Sequence, residues 1–271
     1  MLFRYLKILI LLIGLFGLVP HAMAKLTMSS LFNDHMVLQR DKPVLFWGET
    51  SAKQKVSVKI NGQQVETIAD EHGQWKLTFP ATAKGGPYVV NIQADESKQL
   101  NDVYFGDVWI SVGASNLERK LDWQVNNKEQ ELADANYPQI RFFDVPNTTS
   151  YKKEQYLPAS SWKLANKNNA AEFSAVAWFF AKHVHHEEGV AVGVIDSNWG
   201  GTPAEAWTDA EIVKELVGYK KQAEHVISTK NWPTVMAENN RLAQLKNQLM
   251  GDEEGVLNTQ AYTLDTDVSD W

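Results

Sequence analysis

Residues Asp107 to Glu118 read D-V-W-I-S-V-G-A-S-N-L-E, and few local structures suit them. Val108 to Val112 is rich in β-branched and aromatic side chains, Gly113 breaks the run, and Leu117 with Leu121 begins a helical spacing. The pattern predicts strand, tight turn, helix. A serine at such a turn lifts its hydroxyl above the sheet edge, and its backbone N–H belongs to the unpaired groups of a helix N-terminus. Ser115 is therefore a candidate nucleophile with an oxyanion donor built in, or else simply a helix cap, the common use of serine at that place.

On either side of that turn the texture of the chain differs. From Lys25 to about Leu100, short β-prone runs at Pro43–Trp47, Lys55–Ile60, Gln64–Ile68, Trp75–Phe79 and Tyr88–Ile92 alternate with Asn61-Gly62, His72-Gly73 and Gly85-Gly86-Pro87. Those are hairpin and turn signals at close intervals. The spacing predicts a small immunoglobulin-like β-sandwich over 25–101, serving as a supporting or binding module. Beyond Asn101, a helix over about Asn116–Asn126 and a strand over Gln139–Val145 are expected, followed by a stretch from Asn147 to Asn169 with no usable period.

Phe173, Val176, Ala177, Phe180, Ala181 and Val184 then recur at helical spacing, with Ser174 at the start and Gly189 past the end. Val190–Ile195 follows as a buried strand. Alternation of strand and helix implies an α/β layer of parallel strands, whose functional loops follow Val112, Val145 and Ile195. Three parallel strands are visible where a doubly wound sheet has about five, so the layer is incomplete and leaves an apolar edge. Helical, polar sequence fills Ile212–Ile227 and about Thr234–Met250.

The loop after Ile195 runs Asp196-Ser197-Asn198-Trp199-Gly200-Gly201-Thr202-Pro203-Ala204-Glu205-Ala206-Trp207. Paired glycines bring backbone close to a ligand, so Gly200 and Gly201 are candidates to aim N–H groups into a cleft at the sheet edge that holds Ser115; a plain turn is the alternative. Of the ten tryptophans most should be core, and Trp199 and Trp207, next to the glycine loop, are the cleft candidates.

Composition narrows the chemistry. The chain has no cysteine, which excludes disulfides, thiolate catalysis and cysteine-type zinc sites. Arg4 and Lys7 precede an apolar run from Ile8 to Val19 and the small-residue signal Ala22-Met23-Ala24, so residues 1–24 read as a secretory signal peptide rather than a membrane span. Its removal takes the formal charge from -7 to -9. An acidic, exported chain without a basic block is a poor nucleic-acid binder and suits a periplasmic or secreted enzyme with no membrane contact after cleavage.

Four blocks occur in order: Phe32-Asn33-Asp34-His35-Met36-Val37-Leu38-Gln39-Arg40, Gly106-Asp107-Val108-Trp109 leading to Gly113-Ala114-Ser115-Asn116, Phe173-Ser174-Ala175-Val176-Ala177, and Ser197-Asn198-Trp199-Gly200-Gly201-Thr202-Pro203. Together they resemble sialate O-acetylesterases, of the SGNH hydrolase superfamily, from about Leu31 to Trp207. The resemblance implies a flavodoxin-like three-layer catalytic domain over 102–264, no metal or cofactor, and removal of acetyl groups from O-acetylated sugars, sialic acids first among them. It makes Ser115 the nucleophile, its own N–H and that of Gly200 or Gly201 the oxyanion donors, and Asn116, Trp199 and Thr202 substrate-binding residues. Two departures stand out. Ala114 replaces the family's usual glutamine, and the later blocks that give a third oxyanion donor and an Asp-x-x-His base have no match. The ending Asp265–Trp271 resembles entry to a β-rich insertion, so the chain reads as the N-terminal part of a longer enzyme whose C-terminal part supplies the base. A non-catalytic carbohydrate-binding protein and an acetylxylan-type esterase are the alternatives.

Other constellations are weaker. His183 and Glu187 share a helix face, but His185 points elsewhere and no third ligand is spaced to join them. Polar residues in a last turn are ordinary helix-end chemistry. His35 reads as turn packing and Asp196 as a loop cap or the orienter of a base.

Overall fold

A computed structural model describes residues 25–123, 125–150 and 153–250. The expected signal peptide and the expected insertion start at Asp265 lie outside the described residues. Strands β1 (Thr27–Met28), β3 (Val44–Glu49) and β6 (Gln74–Phe79) form one small sheet. It faces β4 (Lys55–Ile60), β5 (Gln63–Ile68) and β7 (Gly85–Gln93), which belong to a second, larger sheet. All five β-prone runs are strands. In β4 the side chains of Val56, Val58 and Ile60 point into the core while Lys55 and Lys59 are exposed, the alternation of a sheet with one wet face. Asn61 and Gly62 both have positive φ and join Ile60 to its partner Gln63 in a two-residue turn. Gly85-Gly86-Pro87 is not a turn: it opens β7, where the register against its neighbour shifts.

The larger sheet continues beyond the sandwich because one strand belongs to both halves. β8 spans Ser97–Gly113, seventeen residues, and crosses positions 101 and 102 without a break. Its first part pairs antiparallel with β7 as far as Phe105, and Tyr104–Gly106 pairs in parallel with β2 (Val37–Gln39). From Asp107 to Gly113 it pairs in parallel with β11 (Val192–Asn198). β11 in turn pairs in parallel with β9 (Asn136–Asp144), and β10 (Trp162–Asn166) closes the edge antiparallel to β9. β10 lies inside the stretch that shows no period in sequence; five residues on an edge are too few to show one, though Trp162 is buried.

The N-terminal block from Phe32 to Arg40 clamps this shared strand. Arg40 forks onto Asp107 at 2.8 and 3.1 Å, and Gln39 Oε1 accepts from the Val108 N–H at 2.9 Å. His35 Nδ1 lies 2.7 Å from Asp102 Oδ2. Arg141 of β9, almost wholly buried, donates to that carboxylate and to the carbonyls of His35, Asp102 and Pro138, with its guanidinium over the Tyr104 ring. A guanidinium so enclosed is held by its donors' geometry, which lysine does not reproduce.

Helices cover one face of the parallel strands. α1 is only Ser115–Glu118; Arg119 is already extended, so the helix expected to reach Asn126 stops after one turn. The chain is pulled away there by contacts with the next helix's entry: Lys120 bridges to Ser174, and the Ala175 N–H donates to the Arg119 carbonyl at 2.8 Å. α2 (Lys128–Ala133) follows, then α3 (Ala175–Glu188). α3 begins and ends where the sequence indicates: Ser174 Oγ accepts from the Ala177 N–H, and Gly189 adopts the left-handed conformation, φ 57°, that lets its N–H reach the His185 carbonyl. Its buried side packs Ala177, Trp178 and Ala181 onto Ile140, Phe142, Val192 and Val194. The opposite face of the sheet, with Phe143, Trp162 and Ile195, is continuous with the sandwich core. The architecture is thus the α/β class expected, with a β-sandwich fused to it. α4 (Ala210–Val213), α5 (Lys220–Ser228) and α6 (Trp232–Met250) follow, the break between the first two falling at Gly218. Among the described residues no helix is long and apolar enough to cross a membrane.

Candidate active site

β8, β9 and β11 are parallel and end at one edge of the sheet, at Gly113, Asp144 and Asn198. Asn198 pairs with Gly113 and the Trp199 N–H donates to the Gly113 carbonyl at 3.1 Å, so the turn carrying Ser115 and the glycine loop lie side by side. Ser115 is the first residue of α1 and is exposed. A methyl group placed on Gly200 would overlap the carboxylate of Glu118 and lie 3.4 Å from Ser115 Oγ. A larger residue there would have to displace the Glu118 carboxylate. Two of the residues singled out from sequence, Ser115 and Gly200, therefore meet across more than eighty residues of chain.

The rest of the loop is held by its own contacts. Thr202 Oγ1 donates to the Trp199 carbonyl at 2.6 Å and accepts from Trp207 Nε1 at 2.7 Å, so Thr202 locks the loop as well as lining it. Gly201 is exposed with φ 78°, Trp199 is half-buried, and Asn116 is exposed beside Ser115. Pro203 precedes a single 3₁₀ turn, Ala204–Trp207.

Asp196 departs from its reading as a loop cap. It lies within β11, 6% exposed, in register with Ser111 on one side and Asp144 on the other. Residues in register on neighbouring strands project to the same face, here the face beneath α1 and α3. Burial pushes the Asp196 carboxyl up to about 6, against the pull of hydrogen bonds from Asn198 and Ser111, and the Asp144 charge adds to the rise. Its Oδ1 is buried with no hydrogen-bond partner among the described residues.

Sequence reasoning missed Glu118. It stands three residues after Ser115, the spacing that puts two side chains on one helix face, and that spacing was the available signal.

The described histidines lie elsewhere. His35 and Asp102 form an Asp–His pair, but Asp102 and Gly113 are separated by roughly 35 Å of strand at about 3.3 Å per residue. His183, His185 and His186 sit toward the far end of α3, whose N-terminus faces α1; His185 Nδ1 is 2.6 Å from the Val190 carbonyl. His225 packs edge-on to Trp232, and His72 lies in a sandwich turn.

No family model matches the chain. Sialate O-acetylesterases of Rattus norvegicus and Homo sapiens are both 29% identical to it, over 206 and 214 residues, which cover 69% and 72% of this chain and 38% and 40% of those proteins. The crystal structure of a carbohydrate acetylesterase from Xanthomonas citri superposes with a TM-score of 0.67 at 41% identity, covering 69% of this chain and 43% of that one. The chain spans about two fifths of the length of these relatives. Over that span this chain is a relative of the sialate O-acetylesterases.

Proposed function

We propose that this chain carries the nucleophile half of a serine carbohydrate esterase that removes O-acetyl groups from sugars. The observation that carries the reading is the meeting of Ser115 Oγ with Gly200 at the C-terminal edge of the parallel strands. In this reading Ser115 attacks the acetyl carbonyl, the Ser115 N–H and the N–H of Gly200 or Gly201 receive the oxyanion, and water releases acetate from the acetyl-enzyme. Asn116, Trp199 and Thr202 contact the sugar. The proton acceptor is an imidazole from the part of the relatives' length that this chain does not match, since no described histidine approaches Ser115. The signal-like segment 1–24 supports placing the activity in the periplasm or outside the cell.

Acetate release from O-acetylated sugars, sialic acids included, tests the proposal. The 271-residue chain alone is expected to be near background. The chain fused to the unmatched remainder of the Xanthomonas citri acetylesterase is expected to release acetate, and Ser115→Ala to reduce that release by a factor of about 10⁴ or more. Release by the chain alone that depends on Ser115 would move the base into this chain. Release indifferent to Ser115→Ala would end the nucleophile assignment. That no described histidine lies beside Ser115 also favours a second reading, a carbohydrate-binding protein without chemistry; sugar binding unaffected by Ser115→Ala, with no release from the fusion, would select it.

A further inference from the structure

We infer that the carboxylate of Glu118 selects uncharged acetylated sugars and disfavours anionic ones such as sialic acids, an inference that rests on Ser115 marking the reactive centre. Glu118 and Ser115 are neighbours on one face of α1, about 5–6 Å apart at Cβ, and both side chains converge on Gly200. An acyl group held against Ser115 Oγ therefore places its sugar within reach of that carboxylate.

Little neutralises it. Among the described residues no lysine or arginine forms an ion pair with Glu118. Lys120 is engaged by Glu172. Asp144 ends β9 and Asp196 lies two residues before the end of β11 at the same sheet edge, and the chain as a whole is acidic. Lys120 and Lys163 act on Asp144 at this edge, so the charge that faces Ser115 is that of Glu118 itself.

The chemistry separates two classes of acetylated sugar. On a neutral pyranoside, the hydroxyl next to the ester donates a charge-assisted hydrogen bond to the Glu118 carboxylate, which orients the ring and engages the negative charge. A sialic acid brings its own ionised carboxylate toward Glu118, and the like charges count against that ligand without any change in its acetyl ester. At several ångströms in a partly hydrated mouth, the repulsion corresponds to about a three- to tenfold loss of affinity.

The test isolates charge from shape. Binding of 9-O-acetyl-N-acetylneuraminic acid, of its C1 methyl ester and of a mono-O-acetylated methyl xyloside to the full chain is measured by NMR titration, for the wild type, Glu118→Gln and Glu118→Asp. The wild type is expected to bind the methyl ester about three- to tenfold more tightly than the free acid, with the ratio shrinking as salt is raised. Glu118→Gln should bring the ratio toward one at an unchanged thermal midpoint, and Glu118→Asp should retain part of it. Free acid bound as tightly as the ester by the wild type, or a ratio that Glu118→Gln leaves unchanged, would overturn the inference while leaving Ser115 in place. Failure of all three ligands to bind would instead remove the sugar-ester site, and the inference with it.

Discussion

Asp196 pays for its position in the sheet with a pH dependence of folding. The carboxyl is nearly enclosed, one oxygen has no partner among the described residues, and Asp144 stands in register beside it. Its folded value of about 6 lies above the ordinary aspartate value of 3.8, so the folded chain holds this proton more tightly than the unfolded one. The contribution to stability is complete below about pH 4 and is lost as pH rises through about 6, a span of about 2 to 3 kcal/mol. Asp196→Asn is expected to raise the thermal midpoint at pH 8 and to leave it little changed at pH 4; equal shifts at both pH values would show that the carboxyl is not proton-linked to folding. Ser115 and Gly200 were legible because a strand-ending glycine and a Gly-Gly pair are local signals. Asp196 and Glu118 were not, because the first acquires its environment from the register of β9 against β11 and the second from a loop some eighty residues away.

Between the elements, the informative mismatch is β8. Val108 to Val112 carries no charge and no proline, the composition of a strand covered on both faces, yet Trp109, Ile110 and Val112 are 45%, 69% and 50% exposed. Trp109 rests edge-on against Phe180, itself part of an exposed apolar row with Val176 and Phe179 on α3. The Asp107 N–H bonds the Ala191 carbonyl, so by alternation Ile110 and Val112 turn their backbone groups to the opposite side, where no strand of the described residues pairs with them. The 271-residue chain is therefore expected to self-associate with concentration, and Ile110→Lys with Val112→Lys to reduce this without lowering the thermal midpoint, as light scattering and a melting curve would show; a monomeric wild type at high concentration would contradict it. The apolar edge was readable from a strand count. The short α1 was not: Leu117 and Leu121 keep helical spacing, but Leu121 is buried through a turn tied to Phe173 by its N–H at 2.9 Å.

Across the molecule, the sandwich and the α/β layer share a strand and a core. Val103, Phe105, Phe143 and Trp162 belong to the same apolar cluster as Phe46 and Val58, so residues beyond 101 complete the sandwich. A chain cut after residue 101 loses most of β8 and each of those side chains, at about 1.5–3 kcal/mol apiece. Residues 25–101 alone are expected to give poorly dispersed NMR spectra and no cooperative melt, whereas a well-dispersed spectrum would show the sandwich to be self-sufficient. Along β8 the pairing changes from antiparallel to parallel between Phe105 and Asp107, and periodicity does not reveal that one strand carries both. That sharing also governs which changes of length the gene can accept. Side chains alternate along β8, so one residue inserted or deleted between its pairing with β7 and its pairing with β11 would turn Trp109 and Ser111 to the face now held by Ile110, or break the pairing with β11. A substitution along this strand acts at one position, while a single-codon insertion would displace the serine turn and the whole buried face behind it together.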